Sequence, residues 1–335
     1  VIAAYNEAGR IGARIENLLE SDYPPDRIEV VVVSDGSTDG TAEAVRALGG
    51  RVRCVEHPGR RGKAACLNDG VAVATGDLVL FCDARQRFER DAIRCLVSNF
   101  SDETVGAVSG ALFVGSDEAA SAKGVAAYWS LEKRLREAES RFDSAIGCTG
   151  AIYAIRRSIF KALPADTLLD DVIIPMRAAA EGRRVIFDRR AVARDPQKFS
   201  PDAERRRKRR TLAGNFQMLF RYPLWLFPGG HRLWWQLISH KYLRLAFPLF
   251  VVGALIAGAA LWRTPFYGAS LAAGLAAILM GLLGMIVPFR SLKLLAPFTG
   301  FLFLNASILD GLFFYLRSSR TGAWETASPS ARDEG

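Results

Sequence analysis

Past residue 243 the chain becomes a succession of apolar windows, 245–262, 266–287 and 292–316, in which Asp310 is the only carboxylate. A membrane-crossing helix needs about 20 predominantly apolar residues, and each window approaches that length. Buried core helices of a water-soluble protein are the alternative. Three such runs separated by a few residues are unusual in a soluble domain, so the pattern predicts about three transmembrane helices over 243–318 and a polar tail over 319–335.

The part before the windows has a different composition. Nearly all the acidic residues of the 335-residue chain precede residue 240. With 50% hydrophobic residues the chain is long enough for one or two domains with real cores, which excludes a disordered chain. The net charge of +9 could suggest nucleic acid, but six basic residues form the single run 205–210, and Lys241, Arg244, Arg290 and Lys293 flank the apolar windows. Cations beside spans read as cytosolic anchors that meet anionic headgroups, and no nucleic-acid recognition module is visible. Trp225, Trp234 and Trp235 lie near Phe220, Tyr222 and Phe227, so 205–242 is expected to be a basic and aromatic segment at the membrane interface. The flanking charges place both anchoring loops in the cytosol. Three spans would then leave the C-terminus outside, against Arg317, Arg320 and Arg332.

The five cysteines have no CxxC spacing and mostly sit in apolar surroundings, which argues against a zinc site or a disulfide framework. The chain opens at Val1 in a strand-like run without an initiator Met, so further residues, and further spans, are expected upstream.

From 1 to about 204 the pattern alternates between strand and helix. Strands are expected at 1–4, 29–34, 52–56 and 78–82, and helices at 10–20, 41–48, 63–74 and 90–99. Such alternation implies an α/β domain with a mainly parallel sheet. One or two strands over 105–114, a charged helix over 121–140, a strand over 151–155 and a helix over 172–181 follow. Ligands of open parallel sheets bind at the carboxyl ends of the strands, so the loops 5–8, 35–40 and 83–88 should face one crevice.

That crevice would gather Glu7, Asp35, Asp83 and the pair Asp170–Asp171. A loop carboxylate that merely caps the next helix is the competing reading, above all for Asp35 or Asp39 alone. Neither nucleotide fingerprint fits: Gly59-Arg60-Arg61-Gly62-Lys63 has the wrong spacing for a phosphate loop and is followed by Ala64, and Asp35-Gly36-Ser37-Thr38-Asp39-Gly40 is not GxGxxG.

Together, Ala4-Tyr5-Asn6-Glu7, Val33 through Thr41, Gly62-Lys63-Ala64-Ala65-Cys66-Leu67-Asn68 and Gly76-Asp77 leading to Asp83 resemble the family 2 inverting glycosyltransferases, in the membrane-bound branch that includes cellulose and hyaluronan synthases. The resemblance implies a GT-A-type nucleotide-sugar-binding domain over 1–204, lying in the cytosol beneath the plasma (inner) membrane. It implies that Tyr5, Glu7 and Asp35 hold the base and ribose of the donor and that Lys63 approaches the uridine or the diphosphate. The family places Asp-x-Asp after the fourth strand to hold a divalent metal, Mg²⁺ or Mn²⁺, on the diphosphate. Here the triplet is Asp83-Ala84-Arg85, so Asp83 alone would be the metal ligand, and Arg85 would take part of the metal's role toward phosphate oxygens.

By the same resemblance, Leu169-Asp170-Asp171-Val172 gives Asp171 the role of general base, with Asp170 in the preceding acidic position. Helix capping is the competing reading for Asp171. Gly147 to Ala151 and Tyr153 resemble the acceptor-side loop, Gly150 and Tyr153 being the residues at issue, although a glycine-permitted turn would look the same. A Gln-x-x-Arg-Trp motif, which caps the acceptor channel of processive members, aligns with 207–211 and keeps only Arg210, the stacking Trp being replaced by Thr211. The expected activity is inverting transfer from a nucleoside-diphosphate sugar, a UDP-sugar being favoured, to a hydroxyl of a membrane-associated glycan acceptor at the lipid bilayer. Single addition to a lipid-linked acceptor and a catalytically weak membrane scaffold are the alternatives.

Overall fold

The computed structural model describes residues 1–114, 123–196, 201–286 and 292–318, and within these the side chains of 123–131, 201–204 and 318 are not described. The tail 319–335, Arg320, Arg332, Arg290 and the first residues of the expected 121–140 helix lie outside the described residues.

The chain divides into two units, the first made of Val1–Glu204 with Phe227–Gln236, the second of Arg205–Leu226 with Leu237–Ser319. The first is built on an eight-stranded sheet: β1 (Ile2–Ala4), β2 (Val30–Asp35), β3 (Val52–His57), β4 (Leu78–Cys82), β5 (Arg87–Phe88), β6 (Val105–Val114), β7 (Ile152–Arg156) and β8 (Arg184–Asp195). The spatial order is β3-β2-β1-β4-β7-β6-β8-β5. The β3-β2-β1-β4 half is parallel, whereas β7 runs antiparallel to both β4 and β6. The sheet is therefore mixed: β6 and β8 run in the same direction as the parallel half, and only β7 and the short β5 are reversed.

Four consecutive valines, Val30 to Val33, fill β2, and all its residues are buried, as expected for a parallel strand covered on both faces. Helix α1 (Ala8–Leu19) buries Ile11, Arg14, Ile15 and Leu18, a helical stripe against the core that also holds β1 and β4 residues. Helices α2 (Thr41–Ala47), α3 (Lys63–Val73), α4 (Ala92–Ser98), α5 (Lys123–Phe142) and α6 (Asp170–Ala180) complete this part of the chain. Each strand and helix expected from the pattern up to α6 is present within a few residues. Strands β5 and β8 were not expected.

The stretch 205–242, expected as one interfacial segment, is divided between the units. Its residues 227–236 join the first unit because His231 bonds the Met176 carbonyl at 2.9 Å and Arg232 pairs with Asp143. The rest contributes α7 (Pro201–Arg221) to the second unit, burying Leu212, Ala213, Phe216 and Met218. After α8 (Trp234–Gln236) and a π-helical turn, Leu237–Tyr242, come α9 (Leu243–Ala260), α10 (Pro265–Leu283) and α11 (Ala296–Ser318).

Trp234–Ala260, Pro265–Leu283 and Ala296–Arg317 are each long and apolar enough to cross a membrane, and only 6% to 17% of each apolar window is buried within the protein. Apolar helices that leave their side chains uncovered are the signature of a membrane protein, since lipid supplies the missing contacts. Small residues set the crossings: a Cβ on Gly281 would meet Leu302 Cδ1 at 2.6 Å and the Phe298 carbonyl oxygen at 2.8 Å.

Candidate active site

Each of the three expected loops leaves the carboxyl end of a strand, and the hydrogen bonds between the first two show how they are joined. Asn6, after β1, has φ 53°, a left-handed conformation that Asn tolerates. Its backbone N–H donates to Ser37 Oγ and its Oδ1 accepts from the Thr38 N–H. Asp39 caps two helices, accepting from Ala8 N at the start of α1 and from Thr41 N and Oγ1 at the start of α2. Partial burial works against its charge, but these bonds outweigh it and hold the carboxyl below its ordinary value. The capping reading therefore applies to Asp39.

Asp35 is different. It ends β2, is 5% exposed, and accepts Arg61 N at 2.6 Å and Gly62 N at 3.0 Å. Its carboxylate thus braces the loop between β3 and α3. Gly36 makes that approach possible, since at φ 67° a Cβ there would meet the Gly59 carbonyl carbon at 2.6 Å. Tyr5 presents its ring to the Arg60 guanidinium, 4.0 Å from the ring centre. Glu7 pairs with Arg10 at 2.8 Å. Burial raises its pKa, opposed by Arg10 and Arg85, while Asp39 and Asp83 push it further up. The charges of three loops therefore act on one carboxyl.

Lys63, the first residue of α3, is 9% exposed, with its Nζ 3.0 Å from Asp83 Oδ1 and 3.5 Å from Asp170 Oδ2. One ammonium thus joins the carboxylate after β4 to the acid that opens α6. Asp170 is buried and also receives the Tyr153 hydroxyl at 3.4 Å. Tyr153 is fully buried on β7 and stacks on Phe81, and burial with the nearby carboxylates pushes its phenol pKa well up. Its hydroxyl meets the site through Asp170.

Asp171 is half-buried in the first turn of α6. Gly150 lies against it: a Cβ there would meet Asp171 Oδ2 at 3.0 Å, and the Asp171 carbonyl accepts Cys148 N at 2.7 Å. The loop before β7 and the start of α6 are thus packed together, with the Asp171 carboxylate on the loop's glycine. Arg210 sits exposed on α7 in the second unit.

Arg85 does not extend freely from its loop. Its guanidinium forks onto Asp195 at the end of β8, with contacts of 2.7 to 3.1 Å, and Gln86 Nε2 adds a fourth at 3.0 Å. Asp195 had no sequence motif to mark it. Asp83, 38% exposed at its side chain, offers hard carboxylate oxygens beside Lys63. One carboxylate together with substrate phosphates is a usual donor set for Mg²⁺, so Asp83 fits a divalent ion of that kind. Such an ion would supply positive charge to the departing diphosphate.

Residues 1–163 match the family Glycosyl transferase family 2. Over 113 residues the chain is 34% identical to the poly-beta-1,6-N-acetyl-D-glucosamine synthase of Staphylococcus aureus (strain MSSA476), covering 33% of this chain and 27% of that protein. Over another 113-residue alignment it is 34% identical to the beta-monoglucosyldiacylglycerol synthase of Synechocystis sp., covering 32% and 24%. The matched stretch thus spans about a quarter of the length of these curated relatives. A mannosyltransferase from Pyrobaculum calidifontis, solved in complex with GDP-Man and Mn²⁺, superposes with a TM-score of 0.68 at 29% identity over 94% of this chain and 85% of that one. The mixed sheet is of the GT-A type expected from the motifs, and residues 1–163 match the glycosyl transferase family 2 domain.

Proposed function

We propose that the chain transfers a sugar from a nucleoside-diphosphate sugar to a hydroxyl of a membrane-associated glycan acceptor, inverting the anomeric carbon, with Asp171 as general base. The observation that carries this reading is the convergence of Asp83, Lys63 and Asp170 in one ion-pair chain, buried at Lys63 and Asp170, with the half-buried Asp171 next in sequence. Inversion needs a carboxylate within reach of the acceptor hydroxyl on the side of the sugar away from the diphosphate. A base at the start of α6 and a diphosphate held from Asp83 supply the two sides.

Tyr5, Glu7 and Asp35 would recognise the nucleoside, Lys63 would offset charge near the diphosphate, and Asp83 would hold Mg²⁺ or Mn²⁺. The motif resemblance favours a UDP-sugar, while the Pyrobaculum neighbour was solved with GDP-Man, so the base is a point for experiment. The catalytic unit would lie in the cytosol, with the apolar helices in the plasma membrane.

Thr211 in place of a stacking Trp favours a second reading, a single addition to a lipid-linked acceptor, and one relative is named as a glycolipid synthase. Membranes carrying the chain, given a panel of UDP- and GDP-sugars with and without chelator, test both. One donor should release its nucleoside diphosphate, and Asp171→Asn should slow that release by about 10²–10⁴-fold, the usual contribution of a general base. Product length separates polymer from single addition. Binding of a donor without any turnover would leave the scaffold reading in its place.

A further inference from the structure

Beneath the donor-side loops lies a second group of ligand-type side chains, assembled from three elements. Asp35 and His57 end the parallel strands β2 and β3 and are paired in register. Helix α3 brings Cys66 against them. Cys66 Sγ lies 3.9 Å from His57 Nδ1, and the same nitrogen lies 3.7 Å from Asp35 Oδ1. The three ligand atoms fall within 4.8 Å of one another, and the residues are 5%, 6% and 0% exposed in chain order.

The imidazole is oriented for this. His57 Nε2 lies 2.8 Å from Asp69 Oδ2. A carboxylate only accepts, so Nε2 carries the proton and the lone pair of Nδ1 faces Cys66 and Asp35. Arg61 Nη1, 3.2 Å from the same Nε2, has Asp69 Oδ2 as its acceptor at 2.6 Å. A carboxylate behind the imidazole is the arrangement that fixes the tautomer of a metal-binding His.

The spacing and the chemistry select the ion. Tetrahedral zinc, with bonds of about 2.0–2.3 Å, sets neighbouring ligand atoms about 3.3–3.8 Å apart. The His57 separations of 3.7 and 3.9 Å lie within a few tenths of an ångström of that spacing, and small side-chain shifts close the set. A thiolate with an imidazole and a carboxylate suits zinc rather than magnesium, and the two anionic ligands neutralise its charge.

We propose that Asp35, His57 and Cys66 bind Zn²⁺ at a site separate from Asp83, and that the ion, by engaging Asp35, weakens binding of the nucleoside diphosphate. Binding replaces the Cys66 S–H bond with an S–Zn bond and releases the proton to solvent, with no change of oxidation state. The ion site stands on its own geometry; the effect on the nucleotide rests on the donor role proposed for Asp35.

The test uses the full chain in detergent with Co²⁺ as a spectroscopic stand-in. A thiolate-to-cobalt absorption should saturate at one equivalent, disappear on adding Zn²⁺, vanish in Cys66→Ser and His57→Gln, and persist in Cys148→Ser. UDP or GDP affinity, measured by calorimetry, should fall about tenfold with Zn²⁺ in the wild type, within the usual range for coupled ligands, and stay unchanged by Zn²⁺ in Cys66→Ser. No absorption in the wild type, or one that survives both substitutions, overturns the site. An absorption with unaltered nucleotide affinity overturns the coupling. Failure of the zinc-free chain to bind either nucleotide counts against the donor site instead, and the cobalt spectrum is read independently of it.

Discussion

Arg85 and Asp195, 110 positions apart, meet through two arms of the guanidinium: Nε lies 3.0 and 3.1 Å from the carboxylate oxygens and Nη2 lies 2.7 Å from Oδ2. The position at which the family carries a second metal-binding carboxylate is thus occupied by a cation tied to β8. The pair joins the loop after β4 to the strand that follows α6, so that loop is anchored twice, by Lys63 through Asp83 and by Asp195 through Arg85.

Removing one partner should therefore be felt in stability. Asp195 is 3% exposed at its side chain, and Arg85→Ala would leave it with Gln86 and no balancing charge from Arg85. Breaking a fully buried pair costs about 3–5 kcal/mol; Arg85 is 38% exposed, which reduces this to about 1–3 kcal/mol. Thermal melts of Arg85→Ala, Asp195→Ala and the double variant should show that the two losses are not additive. Full turnover by Arg85→Ala with Mg²⁺ would remove any part for Arg85 in stabilising the diphosphate.

Lys63→Gln should separate the donor and acceptor sides. Without the ammonium, Asp83 and Asp170 lose the cation they share. Turnover is expected to fall by about 10²–10³-fold, the scale for deleting one preorganised charge, with weaker donor binding by calorimetry. Unchanged kcat would show that the bridge is structural only.

The candidate positions could be picked out from the sequence because strand-end motifs are local: Glu7, Asp35, Lys63, Asp83 and Asp171 each lie at the end of a short regular element or open one. What escaped is non-local. Strand β8 pairs Ser109 with Phe187 and then Ala111 with Val192, so residues 188–191 bulge out of the ladder and break the alternation that marks a strand. Asp195, at its end, went unseen with it. His57 and Cys66 carry no metal-motif spacing, and only the pairing of β2 with β3 and the seating of α3 bring them together. The interfacial reading of 205–242 missed a division that depends on the His231 contact with α6.

That contact gives a pH prediction. His231 accepts Leu233 N–H on Nδ1 and donates through Nε2 to the Met176 carbonyl, both at 2.9 Å, which requires the neutral ring. Burial lowers its pKa, the Met176 bond works the other way, and Arg232 adds to the lowering. With the folded value below the unfolded one of about 6.5, the unfolded chain takes up the proton first. Stability from this group is complete above that pH and declines as pH falls through it toward the folded value. Hydrogen exchange at the Leu233 amide, corrected for intrinsic rate, should speed up on acidification, and His231→Gln should remove the step. An amide equally protected on both sides of the transition would contradict it.

In the second unit the basic helix is held by a glycine. A Cβ on Gly311 of α11 would meet Leu212 Cβ of α7 at 2.5 Å and Ala213 N at 3.3 Å. The opposing atoms lie on or next to the backbone, so α7 itself must move. Around this point Phe220 stacks on Tyr315 at 5.6 Å, and Lys208 and Arg209 lie over the rings of Phe303 and Phe314. Gly311→Val should therefore cost about 1–3 kcal/mol, the usual range for overpacking, and expose the run 205–210 to trypsin. Gly300→Val, on the same helix with nothing within 4 Å of its Cβ, is the control and should stay resistant. Because Arg210 rides on α7, an acceptor role for that residue predicts that Gly311→Val raises the acceptor KM while donor binding is unchanged. Equal trypsin resistance in the two variants would mean that α7 is held by other contacts than this one.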